Sequence, residues 1–204
     1  MAPDLDLGFT ARRLPVGSHI CYLFGEEDAD RYEIMRRFFD AGGRAGEALL
    51  YLVDTLAPDA LRRRLTPLSA PLDVRVAREA YAPDGHFSTE RVFGALSAFC
   101  ERARAAGSPS SRGSGEMSWA LGYFEGTDPV LEYEARLNRF LPQVGMTAVC
   151  QYDLRRFDGA TIMDVVAVHP YLILRGRLLE NPLFEDPDVF LARLARRRIP
   201  APAG

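Results

Sequence analysis

The sequence predicts an α/β fold: three layers, with a mostly parallel central sheet of five to six strands covered by helices on both faces. Short apolar runs of strand length alternate with longer segments of helical periodicity along the whole chain. The strand candidates are continuous apolar runs, as expected of strands buried on both faces. Regular alternation of strand and helix favours a parallel sheet over a sandwich of two sheets.

The elements follow in order. His19–Phe24 (H-I-C-Y-L-F) reads as the first core strand, and its apolar character places it in the sheet interior. Asp28–Ala41 carries Tyr32, Ile34, Met35, Phe38 and Phe39 at helical spacing, and Gly42, Gly43 and Gly46 break it. Ala48–Val53 is the second core strand, ended by Asp54. Pro58–Leu65 is a short helix with proline in its first turn, where the missing N–H costs little. Leu72–Ala77 is a third strand, and Ala82-Pro83-Asp84-Gly85 is a turn. Ser88 or Thr89 caps a helix that runs through Arg104. The fourth strand is the weak point. Ser108–Ser114 is rich in serine and reads as a loop, so a short strand is placed at Arg112–Met117. Pro129–Leu141 is helical, with Asp128 as cap. Met146–Tyr152 is a strand, Asp158–Val168 a helix stopped by Pro170, Tyr171–Leu174 a last core strand, and Pro187–Arg198 a terminal helix behind Asp186. This divides the chain into an extension (1–16), a main domain (17–190) and a helix end with a short tail (191–204).

Composition narrows the function. A chain of 204 residues with 48% hydrophobic and 26% charged residues suits one soluble domain. The net charge of -3 gives no electrostatic reason to expect nucleic acid. No apolar run reaches bilayer length, and Met1–Pro15 lacks the apolar core of a signal peptide. Cys21, Cys100 and Cys150 lack framework spacing, so a reducing, cytoplasmic setting is expected. All 25 basic residues are arginine. Without lysine, neither a Schiff base nor a Walker-type phosphate lysine is available. After the first core strand the chain reads Gly25-Glu26-Glu27-Asp28, acids where a phosphate needs donors.

The most informative stretch is 115–157. Glu116, Trp119, Gln151, Tyr152 and Asp153 follow predicted strands, where open α/β sheets line their ligand crevice. They are expected to share one rim, with Tyr81 above it; for Tyr81, Asp84 and His86 a lid is set against an ordinary surface turn, and the turn is the reading taken. A carboxylate, an indole, an amide and a phenol suit recognition rather than catalysis. No G-x-S-x-G or comparable nucleophile motif occurs, so a catalytic role is assigned to no residue. An enzyme using Glu116 is the least favoured alternative. Glu132 and Arg136 form an i,i+4 pair, Tyr133, Leu137 and Phe140 a core stripe, and Asn138 a candidate cap for the following turn. His19 and Cys21 share one strand face, while Cys150 and His169 lie elsewhere in the chain. A His/Cys metal or haem site is set against ordinary core packing. Without C-x-x-C or comparable spacing the core reading is taken, and no metal or cofactor is assigned.

Several motifs stand in a fixed order: G-S-H-I-C-Y-L-F (17–24), G-E-A-L-L-Y-L-V-D (46–54), Y-A-P-D-G-H-F (81–87), G-E-M-S-W-A (115–120), E-Y-E-A-R-L-N (132–138), C-Q-Y-D (150–153), H-P (169–170) and N-P-L-F (181–184). In this order the chain resembles the MEDS domain, the sensory domain named for methanogens, methylotrophs and the dichloromethane regulator. The resemblance implies a degenerate RecA-like sheet without a phosphate loop. It also implies sensing of a small, hydrocarbon-derived molecule, with output through a regulatory protein such as a kinase, transcription factor or sigma-factor regulator. A homo-oligomer is left open, and direct contact with nucleic acid or membrane is not expected. The runner-up is a protein-interaction adaptor with a vestigial pocket. The serine-rich stretch departs from the family pattern, which has an apolar strand there.

Overall fold

The apolar runs form strands and the periodic segments form helices in a computed structural model that describes residues 4–26, 30–122 and 128–197. A small antiparallel hairpin comes first, β1 (Asp4–Asp6) and β2 (Arg13–Pro15). The main sheet has seven strands: β3 (His19–Phe24), β4 (Ala48–Val53), β5 (Leu72–Val76), β6 (Ser111–Glu116), β7 (Met146–Asp153), β8 (Tyr171–Leu174) and β9 (Arg177–Glu180). Their spatial order is β5-β4-β6-β7-β3-β8-β9. All neighbours are parallel except β8 and β9. β3 lies between β7 and β8, in the interior as its sequence predicts, and all six of its residues are buried.

Helices cover both faces. On one side α1 (Arg31–Arg44) and α2 (Pro58–Leu65) pack Met35, Phe38, Phe39, Leu61 and Leu65 against Ile20, Tyr22 and Tyr51. On the other, α3 (Ala77–Tyr81), α4 (Thr89–Ala105), α5 (Asp128–Val144), α6 (Gly159–Ala167) and α7 (Pro187–Arg197) enclose Cys21, Leu23, Cys150 and Tyr152. Ser88 caps α4, accepting from the Arg91 amide, and Asp158 caps α6 in the same way from Thr161.

The sheet is larger than expected. β9 is mostly exposed and bears a charge at each end, so it has the polar character of an edge strand. It joins β8 through Arg175 and Gly176, whose φ angles of 47° and 72° suit a two-residue hairpin turn. The short β1–β2 hairpin also lacks a strand signature, yet Leu7 and Leu14 from this region are buried in the α1-side core. The described part of the extension, residues 4–16, therefore packs as part of the domain. The division at residue 190 falls inside α7, whose Phe190 and Leu194 belong to the opposite core.

The serine-rich fourth strand is a central strand and not a loop. β6 (S-R-G-S-G-E) is buried at every position. Small residues fit because their neighbours come close. A Cβ on Gly113 would lie 2.3 Å from Met146 Cε, and one on Gly115 would lie 2.4 Å from the Tyr81 hydroxyl. Arg112 is fully buried and ion-paired with Glu47, and its guanidinium donates to the carbonyls of Phe38 (2.6 Å) and Asp6 (3.1 Å). The strand is thus held by hydrogen bonds and charge where its neighbours are held by apolar packing.

Candidate functional site

The strand period of two decides where the expected rim residues go. Arg112, Ser114 and Glu116 point to the α1 side of β6, together with Gln151 of β7. Cys150 and Tyr152 point to the opposite side, with Trp119 and Tyr81. The residues expected to share one rim are divided between two faces.

On the α1 face, Glu116 ends β6 and is almost fully buried. Its Oε2 accepts from the amides of Asp54 (2.8 Å) and Thr55 (2.7 Å) and from the Thr55 hydroxyl (2.8 Å). Its Oε1 accepts from the Tyr51 hydroxyl (3.0 Å) and pairs with Arg31. Arg31 Nε also donates to Gln151 Oε1 at 2.8 Å, and its guanidinium lies 4.0 Å from the centre of the Phe24 ring. The Gln151 amide donates to Tyr51 (2.8 Å) and Ser114 (2.7 Å). Burial works against the Arg31 charge, but Tyr51 and Glu116 outweigh it and its pKa is raised. Burial, and then the Glu116 charge, raise that of Tyr51. Every polar group in this network has a partner, so side chains fill the crevice. Asp153, at the end of β7, is engaged by Arg155 at 2.7 and 2.8 Å, and this pairing depresses its pKa. Glu27 and Asp28 of the expected acidic loop lie outside the described residues.

On the other face, Trp119 and Tyr81 are buried and stacked, and Tyr81 meets Tyr133 edge-on. Tyr81 is therefore core and not a lid. Asp84 accepts from the His86 amide and from Arg91, in the surface turn expected there. Beside these rings lies a cavity of about 30 Å³, bordered by Leu50, Tyr81, Tyr133, Leu137, Met146 and Cys150 among others. That is room for about two waters or a molecule of similar size. A larger, open groove of about 650 Å³ lies at the carboxyl ends of β3 and β8, with Leu154, Leu179, Arg175 and Arg177 on its walls.

One constellation is invisible in sequence spacing. His19 of β3, Glu134 of α5, Cys150 of β7 and His169 beyond α6 converge, each buried, with one ligand atom apiece inside a 4.8 Å span. Burial, with His169 as a second cause, lowers the His19 pKa to about 4. Burial alone would raise Glu134, but contacts with His169 and His19 outweigh it and hold the carboxyl low. Tyr152 donates to Glu134 Oε1 at 2.6 Å. Asn138 lies within α5 and does not cap the following turn. Its amide nitrogen donates to Val168 O at 2.8 Å. Glu134 was legible in principle. It occupies a core position of α5, four residues after Val130 and three before Leu137, where a carboxylate is out of place without partners.

The parallel order and the two helical layers define a RecA-like α/β domain. Solved structures of similar fold include two of low sequence identity. One is a KaiC-like protein from the archaeon Pyrococcus horikoshii, with TM-score 0.56 and 13% identity, covering 84% of this chain and 80% of that one. The other is an ATPase from the type III secretion system of pathogenic bacteria, with TM-score 0.53 and 12% identity, covering 84% of this chain. The chain spans 56% of that ATPase's length. No curated protein matches the sequence. The profile of the MEDS family, described as the methanogen/methylotroph, DcmR sensory domain, matches residues 18–170, and the chain belongs to that family. Among the described residues no helix is long and apolar enough to cross a membrane.

Proposed function

We propose that this domain is a non-catalytic sensor whose ligand is a molecule of one or two carbons, held in the core cavity on the α5 side of the sheet. The observation that carries this reading is the cavity itself. Its walls are mainly apolar, from Leu50, Leu137 and Met146, with the Tyr81 and Tyr133 rings and the Cys150 thiol beside them. Such a lining suits a small hydrocarbon derivative with little polar surface. Membership of a sensory family agrees with it. Catalysis by Glu116 is not favoured, because both its oxygens are taken by neighbouring donors. Output would pass to a regulatory protein.

The test is methyl NMR of the full chain titrated with methanol and with dichloromethane. Saturable shifts confined to Leu50, Leu137 and Met146, and lost in Leu137→Phe, are expected. Absence of saturable shifts for both probes would leave the adaptor reading. The filled crevice around Glu116 and the half-exposed Leu154 and Leu179 in the open groove favour that second reading.

A further inference from the structure

We propose that His19, Glu134, Cys150 and His169 form a closed binding site for one divalent transition-metal ion of the zinc class. The argument begins with the protons on the two rings. Asn138 Nδ2 donates to the carbonyls of Glu134 (3.3 Å), Ala135 (3.2 Å) and Val168 (2.8 Å), which fixes the amide and leaves its Oδ1 as an acceptor. That oxygen lies 3.3 Å from His19 Nδ1, so this nitrogen carries the proton of the neutral ring. His169 Nδ1 lies 2.7 Å from the Val165 carbonyl and carries its proton for the same reason. Each neutral ring therefore presents an Nε2 lone pair to the same point. Histidine metal ligands are commonly held in this way, with the far nitrogen donating to a carbonyl-type oxygen.

What those lone pairs meet is two further donors of electrons. His19 Nε2 lies 3.0 Å from Glu134 Oε2 and 3.4 Å from Cys150 Sγ. His169 Nε2 lies 3.5 Å from the same carboxylate oxygen, is fully buried, and has no hydrogen bond of ordinary geometry. The Cys150 thiol can donate its one proton to one of these lone pairs, which still leaves two imidazole nitrogens and a carboxylate oxygen converging with more acceptors than donors. One metal ion, with the thiol deprotonated, joins all four. The separations of 3.0, 3.4 and 3.5 Å lie near those of a metal site, and the whole set, within 4.8 Å, has to draw in slightly to close on one ion. A tetrahedral zinc with bonds of about 2.0–2.3 Å sets its donors roughly 3.3–3.6 Å apart.

The charges balance as well. Binding releases the Cys150 thiol proton to solvent, and thiolate and carboxylate together neutralise a divalent ion. Glu134 Oε1 is held by Tyr152, so Oε2 is the oxygen left for the metal. Imidazole and thiolate donors favour zinc over magnesium or calcium. Four protein donors without solvent access make the site structural. It would tie β3, α5, β7 and the segment after α6 together. Cys150 also borders the cavity, but the metal site does not depend on a ligand there.

The experiment uses the full chain and the metal alone. Elemental analysis of the purified protein, and of protein refolded from chelator and denaturant with Zn²⁺, should give about one equivalent per chain. Refolding with Co²⁺ should give the intense visible bands of a tetrahedral site and a near-ultraviolet thiolate-to-cobalt band. Cys150→Ser should lose the thiolate band, and His169→Gln should weaken binding at least about tenfold. His86→Ala and Cys100→Ser should change neither. Should the cluster variants fail to fold, X-ray absorption on the wild type decides alone, with one sulfur among otherwise nitrogen and oxygen neighbours expected. Wild-type protein that binds no stoichiometric zinc or cobalt, or whose bound metal has no sulfur neighbour, overturns the proposal. The cluster would then be a metal-free group of imidazoles, thiol and carboxylate held by hydrogen bonds.

Discussion

The indole of Trp119 lies flat on the ring of Tyr81, with 4.6 Å between ring centres and 11° between planes. Phe87 and Tyr133 extend this contact, and Tyr133 meets Tyr81 at 86°. Trp119 is therefore a core side chain. Trp119→Ala should cost about 3–5 kcal/mol of stability, the range for truncating a buried aromatic. Urea denaturation measures it. A loss under about 1 kcal/mol would mean that the indole is not packed as described.

Removing the charge of Glu116 strands its partner. Glu116→Gln leaves the Arg31 guanidinium buried without its carboxylate, which should cost about 3–5 kcal/mol. Adding Arg31→Met should recover part of that loss, because an unpaired charge no longer remains. Equal stability of the single and double variants contradicts the pairing.

The Tyr81 hydroxyl occupies the volume that any side chain at position 115 would need. Gly115→Ala should cost about 1–3 kcal/mol through overpacking. In a Tyr81→Phe background the penalty should be smaller, since the clashing oxygen is gone. A double-mutant cycle reads the coupling, and strict additivity refutes the contact.

Acid should loosen α7. Asp164 accepts from Arg193 and Arg197 at 2.9 Å each. Burial opposes its ionisation, but hydrogen bonds from Arg197 and Arg193 outweigh that and lower its pKa. A depressed carboxyl stabilises fully above its unfolded value, about 3.9, and the contribution disappears as pH falls through the folded value. Melting temperatures of the wild type and Asp164→Asn should therefore differ at neutral pH and converge below about pH 4. A gap that persists unchanged in acid rules this linkage out.

Strands β3, β4 and β7 were readable because burial on both faces demands continuous apolar residues. β6 was readable to within one residue, at Arg112–Met117, but from the alternation of elements and not from its own composition, because its burial is met by small residues and by Arg112 paired with Glu47. Such a strand has the composition of a loop. The expected rim failed for a different reason. Gln151, Tyr152 and Asp153 are consecutive, and consecutive strand residues face opposite ways, so proximity in sequence separated them in space. The converse holds for His19, Glu134, Cys150 and His169. They come from four places in the chain, and only the parallel register of β3 with β7 sets Cys21 beside Cys150 and His19 beside Ala148.

The composition of β6 also bears on how the chain reaches this state. β4 and β7 flank a slot whose occupant brings no large apolar side chain, so collapse driven by apolar burial does little to recruit it. Until residues 111–116 dock, two central strands expose bare edges, and such edges pair readily with other copies. Arg112 and Glu47, by capturing the strand, act as guards against that encounter. Substitutions there should first appear as lower refolding yield at rising protein concentration.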